Sequence, residues 1–486
     1  MKQRFPRLAL GLSFILGTWI NTSARVDRAG GLSVLELPAH HLTTHAVVLG
    51  MTGSGKTGLL TVLVEEALHA GIPTLMIDIK GDLPNLLLPY PTFSFEALLP
   101  WVDGQLLPSD PRTPSQAAAE LAAQRKHGLA QWSIAEPELR SYAASIAPRV
   151  ITPGSSAGEM LHALSSLERH SARWADDPES ARAALSAAVS LLLRLLGRDP
   201  DPAKSKESVL LSVLAERRLT MGQNADLPAL LSDLDRPPIT QIGALELDAF
   251  LPKPERRALC AALNTLLASP TFASWRQGAT LDVQAWLTPR QGRTPAVIVS
   301  VAHLDDDERA LVLGVLLEEV LSWVRTLPGS QRLRALVVFD EVYGFLPPHP
   351  QTPPTKRPLV SLMKQARAFG VGVVVATQNP MDLDYRALSN AGLWCVGRLQ
   401  TDADRARVVE GLASADVRGG YPAAELTSVV KQLEPRWFLM RDAHAKDSTR
   451  PLMPRWAMSF LKGPMTRVEI KRALAERVWE LGGVGP

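Results

Sequence analysis

Short runs of consecutive small or β-branched apolar residues recur along the chain. Longer stretches with apolar residues three and four apart separate them. The first pattern marks strands buried on both faces and the second marks amphipathic helices. The runs are Ala46–Leu49, Pro73–Ile79, a weaker one at Arg149–Thr152, then Ala296–Val301, Ala335–Phe339, Val371–Ala376, Leu393–Gly397 and Trp437–Met440. Their alternation with helical pattern predicts an α/β fold, a mostly parallel sheet with helices on both faces.

Between about Leu106 and Arg293 the rhythm changes. ESARAALSAAVSLLLRLLG and KPERRALCAALNTLLAS place Ala and Leu at helical spacing, and Asp199, Pro200, Asp201 and Pro202 break two helices apart. The expected organisation is a first core part at residues 1–105, a mainly helical insertion at 106–293, and a second core part at 294–486. The insertion has the size of an ordinary domain, about 150–190 residues. It packs against the core or, alternatively, caps a ring or grips a substrate.

Four segments carry candidate chemistry. HAVVLGMTGSGKTGLL follows a strand with Gly50, Thr52, Gly53, Ser54, Gly55, Lys56 and Thr57, which fit G-x-x-x-x-G-K-[ST]. Glycines let consecutive backbone N–H groups converge on one anion, and the helix starting near Lys56 adds its positive end. The Lys56 ammonium suits the β- and γ-phosphates and the Thr57 hydroxyl suits Mg²⁺. LRALVVFDEVYGF ends a buried strand in Asp340 and Glu341. The first carboxylate suits the metal and the second suits polarisation of an attacking water. VGVVVATQNP ends its strand in Gln378, a neutral amide able to contact a γ-phosphate and the water together. A helix at Leu359–Phe369 joins these two strands, so a parallel crossover sets them close to each other and to the phosphate loop. GLWCVGRL ends in Arg398, which suits a phosphate in its own or a neighbouring subunit and equally a surface ion pair. Arg367 in KQARAFG is a second candidate.

Together GMTGSGKT, DIKGDL, VVFDEVYGF, KQARAFGVGVVVATQNP and GRLQTDADRARVVEGL resemble the HerA/FtsK group of P-loop motor ATPases, above all bacterial HerA-like ATP-binding proteins. The likeness runs from about Phe14 to Arg472. It implies a RecA/ASCE-like core that uses ATP and Mg²⁺, with Lys56 and Thr57 on nucleotide and metal, Asp340 and Glu341 as the second motif and Gln378 as sensor. It also implies an arginine acting in trans, best matched by Arg398, and a homohexameric ring that moves duplex DNA. Alternatives are a secretion- or conjugation-type ATPase moving protein or nucleoprotein, and a nucleotide-gated scaffold that recruits a nuclease. Ile79 stands where the group often has Pro, and an activity housed in a longer tail would be absent beyond Pro486.

Composition changes this little. The 486 residues call for two or three structural units, and 46% hydrophobic with 21% charged residues excludes a disordered chain. A net charge of +3 permits a nucleic-acid partner without arguing for one. Cys260 and Cys395 lie in apolar runs, which fits buried free thiols. Lys2, Arg4 and Arg7 precede an apolar stretch, Leu8–Ile20, in the manner of a secretory signal. Gly11, Ser13, Gly17 and Thr18 interrupt it, and it is too short to span a bilayer. A strand packed on the following domain is the preferred reading, with SFILG (Ser13–Gly17) resembling the strand that begins such proteins. The ATP site calls for a cytoplasmic protein with no membrane insertion. Asp78, Lys80 and Asp82 are placed at a strand end on the active-site edge, and Lys80 either pairs with the acids or reaches a neighbour's nucleotide. Asp305 suits a helix N-cap, His303 with nearby acids a less favoured metal site, and Lys356 and Arg357 in a proline-rich loop either a phosphate backbone or a plain connector.

Overall fold

A computed structural model describes residues 7–13, 33–102, 112–384, 388, 391–414, 422–445 and 449–480. Its main feature is an eleven-stranded sheet. In chain order the strands are β1 (Arg7–Ser13), β2 (Ser33–Pro38), β3 (Ala46–Leu49), β4 (Thr74–Asp78), β5 (Ile146–Ile151), β6 (Thr294–Ser300), β7 (Ala335–Asp340), β8 (Val371–Thr377), β9 (Leu393–Val396), β10 (Phe438–Asp442) and β11 (Thr449–Pro454). Across the sheet they run β2-β1-β11-β10-β9-β3-β8-β7-β4-β6-β5. From β9 to β5 every pairing is parallel. From β9 to β2 every pairing is antiparallel.

Parallel strands must be covered on both faces, and the apolar runs are continuous for that reason. Alternate residues feed two separate cores. Val47, Leu75, Val337 and Val375 point into one, with helix α4 (Asp306–Thr326) and helix α3 (Pro178–Leu195). Ala46, Val48, Met76, Val338 and Val374 point into the other, with helix α1 (Lys56–His69) and helix α2 (Pro114–Ala130). All parallel strands end on one edge, where ligands bind in open α/β sheets.

Two sequence expectations shift. The single insertion at 106–293 is divided, because β5 lies inside it and is the sheet's edge strand, paired with β6. Residues before β5 form α2 on one face. Residues after it pack on the other face, where α3 lies along α4. The strands β2 and β11 were not foreseen. The N-terminal apolar stretch does form a strand, β1, from Arg7 to Ser13; the rest of the SFILG segment, residues 14–17, lies outside the described residues. Among the described residues no helix is long and apolar enough to cross a membrane. The break at Asp199–Pro202 separates α3 from a helix at Lys206–Thr220, as expected.

Candidate active site

The glycine-rich segment after β3 is shaped by its residues. Gly53 and Gly55 have φ of 77° and 92°, a region that side chains rarely adopt. A Cβ on Gly50 would lie 2.4 Å from Ser54 Oγ, so the loop closes on itself only because Gly50 has none. Gly55 leads directly into α1, and no acid occupies that helix's first turn. Neighbouring strand ends brace the loop. The N–H groups of Gly50 and Met51 donate to the carbonyls of Thr377 (3.3 Å) and Arg398 (2.8 Å), and Thr52 Oγ1 donates to Gln378 Oε1 (2.8 Å).

The strand order brings the predicted groups together. β8, which carries Gln378, sits between β3, which carries the loop, and β7, which carries the acids. Lys56 is buried, and its Nζ lies 3.1 Å from Glu341 Oε2 and 3.9 Å from Asp340 Oδ1. The same Oε2 accepts from Lys80 Nζ at 2.6 Å. Glu341 Oε1 accepts from Thr377 Oγ1 (2.9 Å) and from the Gln378 N–H (3.2 Å). Four donors hold Glu341 at φ 63°, unusual for a non-glycine residue.

The two adjacent carboxyls are driven apart electrostatically. Burial pushes Asp340 up, with Lys56 opposing and Glu341 adding to the rise. Burial also pushes Glu341 up, but Lys56, Lys80 and the Gln378 N–H outweigh it and hold the group below the usual glutamate range. Glu341 is thus the more readily ionised of the two. Asp78, fully buried, is pushed up to about 6 by burial, against the Ser300 hydroxyl. Its Oδ2 accepts from Ser300 Oγ at 2.7 Å, and its Oδ1 accepts from the Gly81 and Leu83 N–H groups. Asp78 therefore fixes the turn that presents Lys80.

A divalent cation fits this arrangement. Asp340 Oδ1 is buried and makes no hydrogen bond among the described residues. It is a hard oxygen donor on the edge where the loop and Thr57 meet, as Mg²⁺ requires. No cluster of three or more His, Cys, Asp or Glu side chains able to hold a metal exists among the described residues. At His303, the less favoured metal candidate, Nε2 lies 2.8 Å from the Pro153 carbonyl oxygen.

The other predicted residues separate. Arg398 stands at the end of β9 beside the loop, its carbonyl bracing Met51 and its side chain exposed. Arg367 lies in a turn before β8, at the opposite end of that strand from Gln378. Within its own subunit it cannot serve the phosphate loop. Lys356 and Arg357 lie not in the proline-rich loop but in the first turn of a helix, Lys356–Gln365, and are paired with Asp384 and Glu318 (3.3 and 2.7 Å). Asp305 caps α4. Cys260 and Cys395 are free thiols, and burial pushes the Cys395 thiol up to about 12.

Two features escaped the sequence and a third was left open by it. Thr377 at the end of β8 donates its hydroxyl to Glu341. Lys80 had been left between two roles and takes the acid-pairing one. Arg436 abuts the loop itself, its N–H donating to the Ser54 carbonyl at 2.9 Å. No spacing announces these, since all three depend on which strand ends become neighbours.

Fold and site define a P-loop ATPase. Residues 34–122 match the family model described as helicase HerA, central domain. No curated protein matches the chain. Among solved structures, VirB4 of Thermoanaerobacter pseudethanolicus is similar at 12% identity, over 90% of this chain and 97% of that one, with a TM-score of 0.47. The plasmid coupling protein TrwB in complex with the ATP analogue ADPNP is similar at 13% identity, over 96% and 98%, with a TM-score of 0.47. The genome packaging NTPase B204 from Sulfolobus turreted icosahedral virus 2 covers 33% of this chain, with a TM-score of 0.23. The class of the protein rests on the 34–122 match and on the site geometry.

Proposed function

We propose that this protein is a Mg²⁺-dependent ATP-hydrolysing motor of the cytoplasm that works as a homohexameric ring and moves duplex DNA. The observation that carries the hydrolytic reading is the position of β8. Its tip contacts the phosphate loop through Thr52 and the catalytic carboxylate through the Gln378 N–H.

The backbone N–H groups of residues 53–57 and Lys56 bind the β- and γ-phosphates of ATP. Asp340 and Thr57 hold Mg²⁺, which when bound neutralises charge on those phosphates. Lys56 leaves Glu341 for phosphate, and Glu341, freed on that side, accepts the proton of the attacking water. Lys80, Thr377 and the Gln378 N–H keep the carboxylate in place. The Gln378 amide touches both water and γ-phosphate and loses one contact when the phosphate departs. Arg398 of one subunit reaches the γ-phosphate of its neighbour.

ATP turnover with and without duplex DNA tests the cargo. Strong stimulation is expected, and turnover indifferent to DNA overturns the DNA motor. The second reading is a conjugation- or secretion-type ATPase moving protein or nucleoprotein, and the charge of +3 permits either cargo. A nucleotide-gated scaffold for a nuclease would turn over slowly in both conditions. Particle images of the purified protein test the assembly: six-fold rings with Arg398 facing the neighbour's Lys56 are expected, and a nucleotide-bound monomer would remove the role of Arg398.

A further inference from the structure

On the far side of the phosphate loop from Glu341 lies a cavity of about 310 Å³. Its walls include Gly55 and Gly58 from the start of α1, and Pro454, Trp456, Ala457 and Leu461 from the segment after β10. Leu59, Arg455 and Arg436 complete the lining, the Arg436 guanidinium 5.1 Å from the centre of the Trp456 ring. The platform is built rather than accidental. A Cβ on Gly128 of α2 would lie 2.4 Å from the Trp456 ring, so that glycine makes room for the indole. The Arg436 backbone holds the loop at Ser54, and a Cβ on Gly55 would lie 3.1 Å from Arg436 Cα. Gly58 has open space where a side chain would stand, and Leu461 is left exposed at the rim.

Resting on the ATPase reading above, we infer that this cavity takes the nucleoside end of the triphosphate and holds its base by stacking on Arg436 and Trp456, without reading the base's edge. Lys56, Lys80 and Glu341 fix the γ end on one side of the loop, so the nucleoside continues on the other. A guanidinium over an indole offers a flat, polarisable surface, which suits any base because every base has a π face. The lining carries no Ser, Thr, Asn, Gln, Asp or Glu side chain among the described residues. Arg455 is also unavailable, its guanidinium committed to Glu65 and Glu66 at 2.9 and 2.8 Å. Base-edge discrimination requires a donor or acceptor held for that edge. This cavity offers one stacked cation instead, its Nη2 already donating to the Pro454 carbonyl oxygen at 3.3 Å, so the substrate class is nucleoside triphosphates broadly.

Calorimetric titration of the full chain with ATP, GTP, CTP and inorganic tripolyphosphate tests this. The three nucleotides are expected to bind within about tenfold of one another, since stacking strength alone separates them. Trp456→Ala is expected to weaken ATP by about tenfold or more while leaving tripolyphosphate unchanged, and Trp456→Phe to recover most of the loss. If Trp456→Ala also loses tripolyphosphate, Arg436→Ala, at an exposed side chain, carries the same test. Unchanged ATP affinity in Arg436→Ala, or a hundredfold preference for one base, overturns the inference. Tripolyphosphate binding that survives Lys56→Ala would instead overturn the phosphate-loop reading, so the two failures are distinguishable.

Discussion

Replacing Glu341 by Gln keeps the side chain's shape and removes its charge. Its Oε2 receives two ammonium donors and its Oε1 a hydroxyl and an amide N–H. A glutamine in one orientation turns its NH₂ toward Lys56 and Lys80; in the other it turns NH₂ toward the Gln378 N–H. Either way donors face donors. The gross attraction of the Lys56 pair is about 5 kcal/mol at an effective dielectric near 20, most of it offset by desolvation. A net ~1–3 kcal/mol remains. Lys80, about a third exposed, adds less than 1 kcal/mol. Glu341→Gln should therefore lower the stability of the nucleotide-free protein by ~2–4 kcal/mol. The same change should tighten ATP binding by about 5- to 30-fold, because Lys56 no longer leaves a partner to reach phosphate. Turnover should collapse, since no proton acceptor remains. The stability loss has a defined pH window. Glu341 is held below its ordinary pKa in the folded protein, so its contribution is present above the unfolded value and lost as pH falls through the folded one. The wild type and variant should converge in acid. Chemical denaturation without nucleotide, calorimetry with ATP and phosphate release measure the three effects. Unchanged stability and affinity would refute the Lys56–Glu341 pair, and full turnover would refute Glu341 as the base.

Gln378→Ala removes one half-exposed hydrogen bond, so stability should change by less than ~0.5 kcal/mol and ATP affinity little, while turnover falls on the order of a hundredfold; undiminished turnover refutes the sensor. Asp78→Asn keeps the acceptor for Gly81 and Leu83 and offers an amide to Ser300. Because burial raises the Asp78 pKa to about 6, its charge costs stability above that pH and nothing once both states are protonated. The variant should gain up to ~3 kcal/mol above pH 6 in buffer free of nucleotide and divalent ions, and nothing below about pH 4. A gain that ignores pH refutes the cause. Arg455→Met strands Glu65, a fully buried carboxylate left with only the Met458 and Ser459 N–H groups, and should cost ~3–5 kcal/mol in denaturant titration.

What the sequence made legible was local. The loop, the acid pair and Gln378 each end an uninterrupted apolar run, and each run is a strand because it is buried on both faces. β2 escaped because SVLELP alternates and faces solvent on one side. β11 escaped because Pro451 and Pro454 read against a strand, yet Pro451 pairs with Leu439 of β10 and Pro454 with Gly11 of β1. β5 was read only as a weak run, and its place in the sheet comes from pairing with β6, over 140 residues later. In the site, Lys56 and Glu341 could be named, but not that they would hold each other. Arg436 and Trp456 lay in a segment with no motif, and only the antiparallel extension of the sheet carries them to the loop.

The strand order also governs how the protein is made. β3 is flanked by β8 and β9, strands that leave the ribosome more than 300 residues after it. At roughly 10 residues per second the nascent phosphate loop waits about half a minute for the neighbours that brace it. The wall for the base arrives later still, with β10 and β11, and β11 then closes onto β1, the first strand synthesised. A chain interrupted between residues 56 and 377 therefore carries Lys56 without Gln378 and lacks the neighbours that brace the phosphate loop. Until those later strands arrive, the unpaired apolar strands are a chaperone's concern.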